Sequence, residues 1–371
     1  MRNFPKLLGA DCAIGFDART GPTGLKHALR DKRLFINEKG SLSAVFLLQD
    51  LSRWDKMAKC DMSMRPARHV WGVIVLKDSQ KGAAALFLAY VCWGSMPVYW
   101  KAIARLSSCE ILAHRVVWSM LFTLVLALVQ GKRGLIREVK EDRRGVLCLL
   151  CGGFLITANW WLYIWAVNNG RILETSLGYF INPLVSMALG MLFFREKLRT
   201  LQKIALMLAV AGVCAEFVMT RSISAVSIGL ALTFGIYGAL KKTVSFDPVT
   251  GLLIETSAVA PFALAWLIME QRAGLFSFPY DAATDLLLAG TGVLTSIPLI
   301  LFAFGAKRVR LVTLGFVQYV SPTFTFAIGT LIYREPISSA RLCTFVCVWM
   351  AILFYTADAL ISGNGRQTES H

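Results

Sequence analysis

Residues 183–196 read PLVSMALGMLFFRE, and residues 322–335 read PTFTFAIGTLIYRE. Both follow the pattern P-x6-G-x4-R-E. Pro183, Gly190, Arg195 and Glu196 are answered by Pro322, Gly329, Arg334 and Glu335, each 139 residues later. Upstream, Leu177-Gly178-Tyr179 is answered by Leu314-Gly315-Phe316 and, more faintly, Trp93-Gly94 by Tyr237-Gly238. A repeat of this size divides the chain into units of 82–220 and 225–361.

The spacing of charge says which solvent surrounds the repeat. Of 371 residues, 56% are apolar and only 17% are charged, whereas soluble domains carry about 25% charged residues. Disorder and a coiled coil are excluded. From Lys81 onward, ten stretches lack an ionised residue: 82–100, 116–131, 145–170, 175–194, 204–215, 222–240, 256–269, 286–306, 311–333 and 342–357. A membrane-crossing helix needs about 20 mainly apolar residues, since the hydrocarbon core is about 30 Å thick and the rise is about 1.5 Å per residue. Most of the ten meet this outright; 256–269 does so by including an ionisable residue. Lipid cannot hydrogen-bond an open backbone, so such stretches are helical. The expected fold is an all-α integral membrane protein, with ten transmembrane helices as two inverted five-helix repeats. The inversion follows because five is odd: the second repeat enters from the opposite face of the bilayer. Inverted repeats place a binding site near the midplane, beside helices interrupted by Gly or Pro. Pro183 and Pro322 stand about ten and about eleven residues into their spans, close to the bilayer centre. Each removes a backbone N–H.

The net charge of +16 could suggest nucleic acid, but the basic residues sit in short loops between apolar runs, which is a topology signal. With the first helix starting inside, fifteen Lys and Arg fall on the inner side and eight on the outer. Both termini are expected in the cytoplasm. Residues 1–80 hold no apolar run long enough to span and no secretory core; they read as a cytoplasmic extension, disordered or preceding a true start at Met57, Met62 or Met64. Residues 362–371 read as a cytoplasmic tail. Of nine cysteines, Cys148 and Cys151 form a CxxC embedded in apolar sequence without a partner pair, which reads as packing.

The residues themselves carry a family likeness. Tyr90, Trp93-Gly94 and Lys101; Glu110, His114-Arg115 and Trp118-Ser119; Asn159-Trp160-Trp161, Tyr163, Trp165 and Asn168; Leu177-Gly178-Tyr179 and Asn182-Pro183-Leu184; Phe194-Arg195-Glu196; and Gln318-Tyr319 with Pro322-Thr323 together resemble the RarD branch of the EamA-type transporters, in the drug/metabolite transporter superfamily. The resemblance covers about residues 82–361. It implies ten helices, an inverted repeat, cytoplasmic termini, the bacterial inner membrane, and export of small metabolites or drugs. The extension 1–80 departs from the family pattern.

Ionisable residues within the bilayer face a cavity or a partner. His114, Arg115, Glu216 and Glu255 are the candidates for proton coupling or buried charge. Arg115 reads either as snorkelling to the headgroups or as pairing with Glu216 or Glu174. Glu255 has Lys241 and Lys242 on its side; His114 reads as a relay member or a hydrogen-bonded helix-end residue. Trp93, Asn159, Trp160, Tyr163, Tyr179, Asn182, Gln318 and Tyr319 are the candidate lining of a mostly apolar substrate pocket. Such aromatic walls would suit an amphipathic or cationic substrate. Arg195-Glu196 and Arg334-Glu335 read as anchors that fix helix depth. No P-loop, HExxH or GxSxG appears and no metal-ligand spacing recurs, so no cofactor, metal or enzymatic activity is expected. The expected partners are a small-molecule substrate and the lipid bilayer, with a homodimer as a candidate assembly and no nucleic acid. The function these features indicate is a secondary exporter working by alternating access, with proton coupling through His114 and Glu255. The alternatives are an uncoupled carrier or channel and, after those, a membrane-embedded sensor or enzyme.

Overall fold

Polar residues punctuate the chain between its apolar runs, and they set where the helices begin. The Ser107 hydroxyl accepts from the Glu110 N–H at 3.1 Å, starting α2 (Ser108–Val129) after α1 (Asp78–Ala102). Asp142 caps α4 (Arg143–Asn168), which follows the short α3 (Leu135–Glu141). Asp247 and Asp281 cap α8 (Pro248–Arg272) and α9 (Ala282–Ala306). Each such cap satisfies an N–H that the helix leaves unpaired. The remaining helices are α5 (Ile172–Phe193), α6 (Thr200–Thr220), α7 (Ala225–Thr243), α10 (Leu311–Gln318), α11 (Val320–Leu331) and α12 (Ser339–Thr368). The computed structural model describes residues 77–368, apart from 133–134, 170, 221–223, 276–277 and 335–338. The extension 1–80 therefore lies almost wholly outside the described residues, as do Arg133, Arg221 and Glu335.

Among the described residues, nine helices are long and apolar enough to cross a membrane, taking α10 and α11 as one span, Leu311–Leu331. The tenth span is α7. It is 19 residues long and carries Lys241 and Lys242 in its last turn. It packs against α4, α5 and α9, so part of its surface meets protein and needs less apolar side-chain area than a lipid-facing helix. Elsewhere large apolar side chains such as Leu128, Leu192, Phe193 and Leu286 stand exposed on the outside of the bundle, as a lipid-facing surface requires. The final helix continues to Thr368, through most of the expected 362–371 tail.

The inverted repeat is visible in the packing. Exchanging each span with the one five places on maps α1 to α7, α2 to α8, α4 to α9, α5 to α10–α11 and α6 to α12. The principal contacts map onto one another: α1 against α9 becomes α7 against α4, α2 against α9 becomes α8 against α4, and α5 against α7 becomes α10–α11 against α1. The pairs α2–α8, α5–α10 and α6–α12 map onto themselves. Single positions repeat the relation. A Cβ on Gly153 would stand 2.6 Å from the Glu255 carbonyl oxygen, and one on Gly292 would stand 2.4 Å from the Trp118 carbonyl carbon. Arg195 and Arg334 share a left-handed backbone, φ 52° and 54°, a conformation uncommon outside glycine.

The two prolines of the repeat act differently. Pro183 lies within the unbroken α5, whereas Pro322 stands in the first turn of α11, just past an interruption at Tyr319. Both deprive the carbonyl four residues back of its helical donor; those residues are Tyr179 and Gln318.

Candidate substrate cavity

The loops divide into a basic end, holding residues 130–132, 142, 194–199, 244–247 and 307–310, and a far end, holding 103–107, 169, 171, 273–275, 278–281 and 332–334. A cavity of about 540 Å³ runs from the middle of the bundle towards the far end, within the 300–1,000 Å³ range of small-molecule sites. Its floor includes Trp93, Asn159, Asn182 and Gln318; its upper wall includes Trp100, Leu106 and Thr330. Both five-helix units contribute.

Seven of the eight expected lining residues face it: Trp93, Asn159, Trp160, Tyr163, Tyr179, Asn182 and Gln318. Tyr319 does not. One residue along a helix is a turn of about 100°, and Tyr319 packs wholly buried among Phe180, Met187 and Phe316, its hydroxyl donating to the Phe180 carbonyl at 3.3 Å. The amides have distinct tasks. Asn159 donates to the Leu230 carbonyl at 2.9 Å and to the Thr233 hydroxyl at 2.7 Å, tying α4 to α7. Gln318 accepts from Ser186 at 3.3 Å, tying α10 to α5. The Asn182 Oδ1 is buried, with no hydrogen-bond partner among the described residues. Tyr163 and Tyr179 meet edge to face at 5.8 Å. Pro322 also lines the cavity and Pro183 does not.

Arg115 is the residue whose surroundings sequence reading missed. It neither snorkels nor pairs with Glu216 or Glu174. Its Nε donates to the Thr295 hydroxyl at 3.1 Å. Its guanidinium lies 4.8 Å from the Trp100 ring centroid and 4.5 Å from that of Trp160. Glu174 stands 3.8 Å from Arg171 instead, and Glu216 accepts from the Thr344 hydroxyl at 2.9 Å, joining α6 to α12. His114 and Glu255 also lie outside the cavity lining. The His114 ring packs on Phe278 at 5.0 Å, and its buried Nε2 has no hydrogen-bond partner among the described residues.

The basic end is closed below the cavity floor. Tyr90, Trp93, Phe234, Tyr237 and Phe302 form one aromatic cluster, with Tyr237 stacked on Phe302 at 5.8 Å. Beneath it Lys241 pairs with Glu255 at 2.6 Å, both side chains only 3% exposed, and the Tyr237 hydroxyl donates to Glu255 at 3.2 Å. Nearer the surface, Glu196 has a role beyond anchoring. Its carboxylate accepts from the Leu311 and Val312 N–H groups at 2.8 and 2.9 Å, so the end of α5 caps the start of α10 in the opposite repeat. Lys242 and Arg310 stand 3.6 and 3.8 Å from the same carboxylate. Asp247 joins the last loop of this end through a salt bridge to Lys132. Burial works against ionisation of Asp247, but Lys132 and Thr250 outweigh it and keep the carboxyl below its usual range. Lys307, whose ammonium donates to the Phe246 carbonyl, is pushed down to about 8 by burial first and by nearby Lys241 second.

Ten membrane-crossing segments in two inverted halves, around a cavity reached from one end, define a multi-pass membrane transporter. Comparison with known proteins gives the family. Residues 80–216 match the EamA-like transporter family. The chain is 43% identical to the uncharacterized transporter YojE of Bacillus subtilis, over 75% of this chain and 94% of that one. It is 36% identical to the protein RarD of Escherichia coli, over 76% and 96%, and 32% identical to the chloramphenicol-sensitive protein RarD of Pseudomonas aeruginosa, over 76% and 96%. A solved crystal structure shares the fold at TM-score 0.58 and 14% identity, covering 74% of this chain and 97% of its own. The chain belongs to the RarD branch of the EamA-like transporter family, in the drug/metabolite transporter superfamily.

Proposed function

We propose that the chain is a secondary exporter of small metabolites or amphipathic drugs, working by alternating access in the bacterial inner membrane. The observation that carries this reading is the one-ended cavity: it reaches the middle of the bundle from the far end, while the basic end is closed by Tyr237–Phe302, Lys241–Glu255 and Glu196. The positive-inside rule makes the basic end cytoplasmic, along with both termini. The state described is then outward-open, and the repeat symmetry supplies the complementary inward-open state by exchanging the roles of the halves. Export is the direction that the family resemblance implies.

Proton coupling belongs to the same proposal. Glu255 sits at the closed end against Lys241, so opening that end separates the pair and leaves the carboxylate to take a proton. His114 stands at the far end beside Phe278, where the opposite movement would expose it. Neither touches the cavity, so their effect on substrate passes through helix movement. A homodimer is compatible with the lipid-facing surface.

Uptake into inverted membrane vesicles tests the reading, using amino acids, aromatic metabolites and amphipathic drugs with and without a proton gradient. Saturable, gradient-dependent uptake of one class is the expected result. Uptake indifferent to the gradient would leave an uncoupled carrier; product formation from any compound would revive an enzyme.

A further inference from the structure

The cavity has aromatic walls and, among the described residues lining it, one charged side chain, Arg115. Aromatic walls alone would favour a cation. Here two of the lining rings, Trp100 and Trp160, already hold one: the Arg115 guanidinium stands over them at 4.8 and 4.5 Å. A second cation entering the pocket would meet occupied rings and a like charge.

The guanidinium is fixed and under-used. Its Nε–H is spent on the Thr295 hydroxyl at 3.1 Å, and the Trp100 and Trp160 rings flank it. Four of its five N–H donors remain on the terminal nitrogens. No carboxylate among the described residues lies within ion-pair distance of it; the two acids nearest in sequence logic, Glu174 and Glu216, are engaged by Arg171 and Thr344. A permanent cation in a low-dielectric setting without a counter-charge is costly. The same bundle shows the alternative, since the buried Lys241 is given Glu255 at 2.6 Å.

Resting on the reading of this cavity as the substrate site, we propose that it selects organic monocarboxylates with an aromatic or bulky apolar body. The Arg115 fork receives the carboxylate in a two-point contact. The Tyr163–Tyr179 wall receives the body, and the substrate itself supplies the counter-charge.

Three probes with one ring and three charges test this: phenylacetate, 2-phenylethanol and phenethylamine, measured for binding to the full chain in proteoliposomes. Phenylacetate is expected to bind saturably and about tenfold or more tighter than the alcohol, with the amine weakest. Arg115→Gln should weaken phenylacetate by about tenfold to a hundredfold and the neutral alcohol far less, while Arg115→Lys keeps the order of the probes at lower affinity. Should Arg115→Gln fail to fold, the ranking in the unaltered protein decides alone. Preference for the amine or the alcohol overturns the carboxylate assignment and leaves the transporter reading standing. Binding of no probe overturns both the carboxylate assignment and the reading of this cavity as the substrate site.

Discussion

Two cations lie inside the bundle, Lys241 fully buried and Arg115 partly so, and they are surrounded in opposite ways. Lys241, on α7, meets Glu255 at 2.6 Å below the cavity floor, with the Tyr237 hydroxyl completing the carboxylate's shell. Arg115, on α2, has a hydroxyl and two indole faces and no acid among the described residues. A paired charge joins the helices that carry it, here α7 and α8 at the closed end. An unpaired one beside a cavity is a demand for an anion. The difference separates a residue that keeps the basic end shut from one that addresses the substrate.

The largest expected effect breaks the paired case. Glu255→Gln strands Lys241 in a dry site, and losing one partner of a buried pair costs about 3–5 kcal/mol. Thermal unfolding in detergent should show a clear loss, and the double change Lys241→Met with Glu255→Leu should recover most of it. If the single variant is as stable as the parent, the pair does not hold the closed end. Arg115→Gln should show the reverse pattern: no ion pair is broken, so the loss of stability should be smaller than for Glu255→Gln, while carboxylate binding is lost.

A smaller effect is expected at Glu196. Glu196→Gln removes the charge from the cap on α10, a change of about 1–2 kcal/mol. Hydrogen exchange at the Leu311 and Val312 amides should quicken by about fivefold to thirtyfold, while amides in the α6–α12 pair stay unchanged. Uniform quickening would mean general destabilisation in place of a latch between the repeats.

The smallest is a pH effect at Lys307. Its folded pKa, about 8, lies below the ordinary lysine value of 10.5. Between these values the unfolded chain binds the extra proton, so stability rises with pH across that window. Below about pH 8 the ammonium is charged in both states and its burial penalty is fully present. Lys241, Arg308, Asp247 and Glu255 all act on it. Unfolding scans from pH 7 to 10.5 should show a slope that Lys307→Gln flattens.

Much of the architecture was legible because it depends on patterns along the chain. The ten charge-free stretches, the P-x6-G-x4-R-E repeat and the odd span count lead to the inverted bundle without any knowledge of contacts. Seven lining residues were legible as well, since aromatic and amide side chains near the midplane of an inverted repeat have few other uses. Tyr319 was misread because its residue type matched while its helix face did not. The surroundings of Arg115 could not be read: Thr295 lies 180 residues away on α9, and no spacing rule joins them. Glu196 was read as an anchor because its end-of-span position suggested one. The amides it caps, Leu311 and Val312, belong to the opposite repeat.

The one-ended cavity is the claim on which the transport mechanism depends, and thiol labelling from each side of the membrane addresses it directly. Ser176 lines the cavity, so Ser176→Cys in a background cleared of the native cysteines reports access. The account predicts labelling by an impermeant maleimide from the periplasmic face, slowed by phenylacetate. It also predicts a shift towards cytoplasmic access when Glu196 is changed to Gln. Simultaneous labelling from both faces in the unaltered background would contradict alternating access and make the protein a channel.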